Sequence, residues 1–106
     1  MAESIPQNPT LELLSHRASC RHFDDRDVPP EVVAQLIEAG TKAASGGNLQ
    51  PYSIITIRNE QTKSRLAELC FGQRFMVEAP VLLLFCIDWH RVGRWAAMND
   101  APDTTA

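Results

Sequence analysis

Cysteine is scarce in this chain, and its spacing excludes more than its number does. Cys20, Cys70 and Cys86 form an odd set with no C-x-x-C pair, which argues against a disulfide framework and suits reduced thiols in a cytoplasmic protein. Positive charge is not in surplus either, since 10 Lys and Arg stand against 13 Asp and Glu for a formal net charge of −3. A general nucleic-acid binder gathers Lys and Arg on one face to meet phosphates, so no nucleic-acid partner is expected. Long apolar runs are missing. The longest, Ala79 to Ile87, is too short for a helix across a bilayer and reads as a strand buried on both faces, so no membrane partner is expected. The opening residues lack the basic segment and apolar core of a secretory signal. His16, His22 and His90 make no recognisable metal-ligand spacing, so no metal is assigned. There is no internal repeat and no low-complexity tract.

What is present fits one domain over residues 1–106, with 44% hydrophobic and 22% charged residues around a modest core. Residues 1–9 read as a loose lead-in, after which Thr10 caps a helix through Leu11, Leu13, Leu14 and Arg17. Pro30 suits an early helical position, and Val32, Val33, Leu36 and Ile37 supply that helix's apolar stripe. Ser45-Gly46-Gly47-Asn48 breaks the chain, and Pro51 bars an easy continuation of the helix. Tyr52 to Ile57 reads as a strand. Asn59 caps a third helix that ends at Gly72, a short helical turn crosses residues 73–78, and Val81 to Ile87 is the second strand. Asp88 caps a last helix over 89–98, and the small, polar residues 99–106 have nothing to anchor them and are expected to be flexible. Two strands rarely make a stable sheet alone. Either another chain supplies a third, or these residues are the first part of a longer fold.

Two stretches carry most of the chemistry. Arg17-Ala18-Ser19-Cys20-Arg21 offers two guanidinium forks and a hydroxyl, which suit phosphate oxygens. The same residues also suit a helix C-terminus, where arginines complement the dipole and Ser19 makes a local turn. Ser45 to Pro51 offers open backbone that a flat ring can approach closely, although it is equally a helix-to-strand connection in which Gly and Asn take positive φ. Together they read as two walls of a site for a phosphorylated planar ligand. In Phe71-Gly72-Gln73-Arg74-Phe75, the Gln73 amide can both donate to and accept from a heteroaromatic edge, or the segment is a helix cap and a new turn. Cys20 is read as a small filler beside the arginines in preference to a nucleophile paired with His22. Trp89 and Trp95 are expected in the core or at an interface.

The segments His16-Arg17-Ala18-Ser19-Cys20-Arg21-His22-Phe23, Ala44 to Ile55, and Gly72-Gln73 leading to Phe85-Cys86-Ile87-Asp88 occur in this order. On them, from Leu11 to Arg91, the chain resembles the amino-terminal half of the FMN-dependent nitroreductase family, nearest its NADPH-using nitroreductase and flavin reductase branch. The resemblance implies an α+β nitroreductase-like fold, truncated here, with helices around a small sheet. It also implies a homodimer with FMN at the subunit interface, where NAD(P)H reduces the flavin and a hydride passes to a small-molecule electron acceptor such as a nitroaromatic, a quinone or a flavin. On this resemblance Arg17, Ser19 and Arg21 hold the phosphate and ribityl part of FMN with Ala18 donating backbone. Ser45, Gly46 and Asn48 lie against the flavin and ribityl chain, and Gln73 reaches the flavin ring or the substrate pocket. Gly46 stands where the family commonly has serine, and Ala44 where it commonly has proline. No catalytic acid, base or nucleophile is required, and none is assigned. Family members are longer, so this chain is expected to supply one side of the site and not to catalyse alone. Two other readings stay open: a non-catalytic α/β interaction module completed by a partner chain, and a flavin-dependent reductive dehalogenase or flavin-modifying enzyme.

Overall fold

Capping chemistry sets most of the element boundaries in the computed structural model, which describes residues 7–101. Helix α1 (Pro9–His16) is capped by Asn8, whose side chain accepts from the amides of Thr10 at 2.9 Å and Leu11 at 3.4 Å. The cap is therefore Asn8 and not Thr10. Pro9 lacks an N–H and has φ preset, so the helix starts two residues earlier than a Thr10 cap would place it. Helix α2 (Pro30–Thr41) begins on Pro30 as expected and runs past Gly40. A 3-10 turn (Gly46–Asn48) leads into strand β1 (Tyr52–Ile57). Asn59 caps α3 (Glu60–Leu69) by accepting from the Thr62 amide at 3.0 Å. The short α4 (Phe75–Glu78) precedes strand β2 (Leu82–Ile87), and Asp88 caps α5 (Trp89–Met98). Residues 1–6 of the expected lead-in and 102–106 of the expected tail lie outside the described residues. Pro9 is already helical, and the amides of Asn99, Asp100 and Ala101 donate to carbonyls of α5.

The end of α3 differs from the sequence expectation. Gly72 donates to the Ala67 carbonyl at 2.8 Å, the long bond of a Schellman cap, so the left-handed residue after the helix is Phe71, at φ 67. Glycine usually takes that place. Gly72 follows at φ 69 and turns the chain toward α4.

Strands β1 and β2 pair antiparallel from Tyr52 opposite Ile87 to Ile57 opposite Leu82, with α3 and α4 as the connection. The apolar run of β2 predicted a strand buried on both faces. Instead Phe85 is 61% and Ile87 85% exposed, because the sheet has two strands and the described elements do not cover its faces. Trp89 and Trp95 are likewise 46% and 58% exposed and lie outside the core. That core is small: Val33, Ile57, Ala67, Ala79, Val92 and Ala96 are its buried apolar residues, and α1 buries none. The accessible surface is 9142 Å², where a compact monomer of this mass would show about 5,900 Å². The radius of gyration, 18.9 Å, likewise exceeds the roughly 13 Å of a compact 100-residue domain.

The most deeply buried side chain is charged. Lys63, 2% exposed, donates from Nζ to the carbonyls of Ala79 at 2.8 Å and Val77 at 3.2 Å, and its ammonium pairs with Glu60 at 3.0 Å. It ties α3 to the last turn of α4 and to the lead-in of β2. At the same end of the sheet, just past the Ile57–Leu82 pair, Arg58 donates to the Asp27 carboxylate and the Val28 carbonyl, each at 2.8 Å, and so anchors the segment before α2. Removing a buried donor that leaves carbonyls unpaired costs about 1–3 kcal/mol, more when the group is charged. Lys63→Ala is therefore expected to lower unfolding free energy by about 2–3 kcal/mol in urea titrations. Arg65→Ala, which breaks an exposed pair with Glu68, should change it by under about 1 kcal/mol.

Candidate functional site

Helix α1 stops at His16 because Arg17 turns extended, at φ −68 and ψ 145, and residues 17–24 continue without regular structure. Arg17, Ser19 and Arg21 are exposed, and among the described residues their side chains make no hydrogen bond or ion pair. Their donors are thus free for a ligand. Arg21 also lies over the ring of Phe75, 5.5 Å from its centroid, a distance within cation–π range. That contact sets the arginine stretch beside the turn carrying Gln73, whose amide donates to the Cys70 carbonyl at 2.9 Å. Cys20 donates to the His22 carbonyl at 3.3 Å, and Cys20, Cys70 and Cys86 are all free thiols. Among the described residues no His, Cys, Asp and Glu cluster could hold a metal ion.

The second stretch folds into a tight loop. The Asn48 amide donates to the Ser45 carbonyl at 3.0 Å, the Leu49 amide to Gly46 at 3.2 Å, and the Gln50 amide to the Ser45 hydroxyl at 3.1 Å. Three residues take the left-handed region: Gly47 at φ 60, Asn48 at φ 55 and Gln50 at φ 50. Gly and Asn adopt it readily, whereas Gln50, just before Pro51, is strained. A Cβ on Gly46 would meet nothing within 4 Å, so open backbone faces outward at that point.

Helix α5 grips the end of this loop. Arg91 donates to the Gln50 carbonyl at 2.6 Å, and the Asp88 amide donates to the Pro51 carbonyl at 2.8 Å. The Asp88 carboxylate accepts from the Ser53 hydroxyl and, as the α5 cap, from the Arg91 amide at 3.0 Å. Ser53 first and the Arg91 amide second hold the Asp88 carboxyl below its ordinary value of 3.8. A cavity of about 380 Å³ lies between the loop and α5, lined by Gly47, Asn48, Leu49, Gln50, Arg91, Val92 and Trp95. It contains Asn48 from the predicted set but not Arg17, Ser19, Arg21 or Gln73. The structure therefore joins Arg21 to the Gln73 turn, and the glycine loop to α5, as two separate groups. Arg91, Asp88 and Ser53 were not singled out from sequence as site residues. Asp88 was legible only as a cap, and the contact of Arg91 with Gln50 spans 41 positions.

The sequence pattern of the nitroreductase family matches residues 14–105. The chain belongs to that family. An FMN reductase (NAD(P)H) of Bacillus subtilis (strain 168) is 37% identical over 84 residues, which are 79% of this chain and 34% of the relative. An NADH dehydrogenase of Thermus thermophilus is 39% identical over 88 residues, 83% of this chain and 43% of the relative. Among solved structures, NfrA2 of B. megaterium superposes with a TM-score of 0.86 at 31% identity, over 93% of this chain and 40% of its own. The NADPH:FMN oxidoreductase of Vibrio harveyi, solved with NAD+, gives 0.76 at 30% identity, over 88% and 39%. The nitroreductase chain described here thus spans less than half the length of the relatives it matches. Its α+β arrangement of helices with a two-stranded sheet is that of the nitroreductase fold.

Two outcomes follow from the loop and its grip. Gly47→Ala places a Cβ on a left-handed residue and is expected to cost about 1 kcal/mol of stability by urea unfolding. Gly46→Ala should stay within about 0.5 kcal/mol. Because the Asp88 carboxyl is depressed in the folded state, its contribution is present above pH 3.8 and is lost as pH falls through the folded value. Asp88→Asn, which can still cap α5, should therefore flatten the loss of stability below about pH 4 in acid titrations followed by circular dichroism.

Proposed function

We propose that this chain forms one wall of the FMN site of an NAD(P)H-dependent oxidoreductase. The observation that carries this reading is the pair of free guanidinium groups, Arg17 and Arg21, flanking the Ser19 hydroxyl where α1 gives way to extended backbone. Spacing at i, i+2 and i+4 favours one side of an extended chain, and Arg–phosphate contacts are bidentate and charge-assisted. Here the three groups hold the FMN phosphate and ribityl end, with Ala18 contributing its amide. Ser45, Gly46 and Asn48 lie along the flavin and ribityl chain, with nothing within 4 Å of a Cβ at Gly46 to obstruct them. Gln73 lies at the ring or the substrate pocket, near Arg21 through Phe75. The residues present fit the cofactor's anionic end and one face.

FMN, when bound, accepts a hydride from NAD(P)H and delivers it to a nitroaromatic, quinone or flavin acceptor, while the protein places it and supplies the field. The names of the relatives, an FMN reductase and an NADPH:FMN oxidoreductase, support this chemistry. The exposed apolar sheet, with Phe85 and Ile87 uncovered, supports closure of the site by further polypeptide and assembly as a homodimer. Three free thiols support a reducing, cytoplasmic setting. No described helix is long and apolar enough to cross a membrane.

Purified chain is expected to take up added FMN, seen as a shift of flavin absorbance or fluorescence, with Arg21→Ala weakening binding about tenfold or more. Protein that stays colourless with excess FMN, or an Arg21→Ala variant of unchanged affinity, overturns the assignment. Oxidation of NAD(P)H with a nitroaromatic or quinone measures whether these residues suffice for turnover.

A further inference from the structure

From the grip of α5 on the glycine loop, we infer that Arg91 is a positioning residue: it holds Gln50 in a strained left-handed conformation and thereby sets the backbone that faces the ligand. Gln50 at φ 50 is neither Gly nor Asn, and it precedes a proline, so its conformation is disfavoured locally and must be held from outside. The Gln50 carbonyl accepts both the Tyr52 amide at 2.8 Å and the Arg91 guanidinium at 2.6 Å, a short, charge-assisted contact. One residue on, the Pro51 carbonyl accepts the Asp88 amide at 2.8 Å, and Asp88 receives the Ser53 hydroxyl. Arg91 is itself placed by its own amide, which caps onto Asp88 at 3.0 Å. Three bonds thus fasten residues 50–53 to the cap and first turn of α5.

Among the described residues, the other end of the loop hydrogen-bonds only within itself, through Ser45 and Gly46. Release of Gln50 therefore lets residues 46–50 relax toward ordinary φ and moves the Asn48 side chain and the open backbone at Gly46. Arg91 acts through this backbone and needs no contact with ligand. Trp95, four residues along α5 from Arg91, also lines this cavity.

This inference rests on the FMN reading only for its consequence, so the experiment separates the two. Amide hydrogen exchange by NMR is measured on the full chain as wild type, Arg91→Ala and Arg94→Ala. Arg94 lies on the same helix, and among the described residues it makes no hydrogen bond or ion pair, so its removal takes the same charge without touching the loop. Arg91→Ala is expected to speed exchange at Asn48, Leu49, Gln50 and Tyr52 by about tenfold or more, with the α3 amides Lys63 and Cys70 unchanged and Arg94→Ala like wild type. Exchange at the loop within twofold of wild type, or an equal rise in α3, overturns the inference. Should Arg91→Ala fail to fold, Arg91→Met, which keeps the apolar stem and removes the donor, is read by the same criteria. FMN titration of the same proteins gives the second readout, a loss of affinity of about tenfold for Arg91→Ala and none for Arg94→Ala. If wild type binds no FMN, the cofactor reading fails while the exchange measurement still decides the role of Arg91; if FMN binds and Arg91→Ala binds it equally, the positioning role fails alone.

Discussion

A lysine ammonium shut away from water organises the centre of this small fold. An unpaired buried charge is far too costly to keep, so Lys63 must find acceptors, and the geometry offers it the carbonyls of Val77 and Ala79 together with Glu60. Those carbonyls sit where α4 ends and the chain runs through Pro80 into β2. Satisfying the charge therefore fixes the distance between α3 and the start of β2. Because α3 itself begins three residues after β1, the same contact constrains the register in which β2 meets β1. A hydrophobic contact in that place would be less directional. With six small or branched apolar residues buried among the described residues, direction counts for more here than area.

The candidate site hangs from this frame at two places. The arginine stretch leaves α1, which buries nothing, and reaches the frame through Arg21 against Phe75, at the start of the α4 that Lys63 holds. The glycine loop reaches it through β1 and α5, by the bonds of Arg91 and Asp88 to the carbonyls of residues 50 and 51. Strain and restraint are matched along the loop. Left-handed residues lie at 47, 48 and 50, and the one without a permissive side chain is the one that receives the guanidinium. Phe85 and Ile87 on the sheet and the two tryptophans of α5 remain exposed.

Much of the element order was legible because it depends on neighbours in sequence. Asn59 and Asp88 are caps whose side chains reach three residues forward, and Pro30 opens α2 because its ring presets φ. The strand Tyr52 to Ile57 was readable from its β-branched residues. Where two local signals competed, the reading slipped: Thr10 looked like a cap, but Asn8 followed by Pro9 starts the helix earlier. Gly72 looked like the end of α3, but the helix ends at Leu69 and the Schellman bond makes Phe71 the first left-handed residue after it. The burial of β2 was misjudged for another reason, since an apolar run states what a strand can bury and not what is there to cover it.

By itself the sequence determined the positions of the caps and breaks, the two apolar strands, the arginine and glycine stretches, and the family motifs they form in order. All of these are properties of residues a few positions apart, where backbone sterics and short side chains decide the outcome. Only the tertiary structure decided that Lys63 is the most buried side chain, that the arginine stretch and the glycine loop attach to different elements, and that Arg91 holds Gln50. The physical reason is common to all three. A buried ammonium, a cation over a ring and a guanidinium on a carbonyl are contacts between segments 14 to 54 residues apart, and their worth depends on a geometry that exists only once the chain has folded.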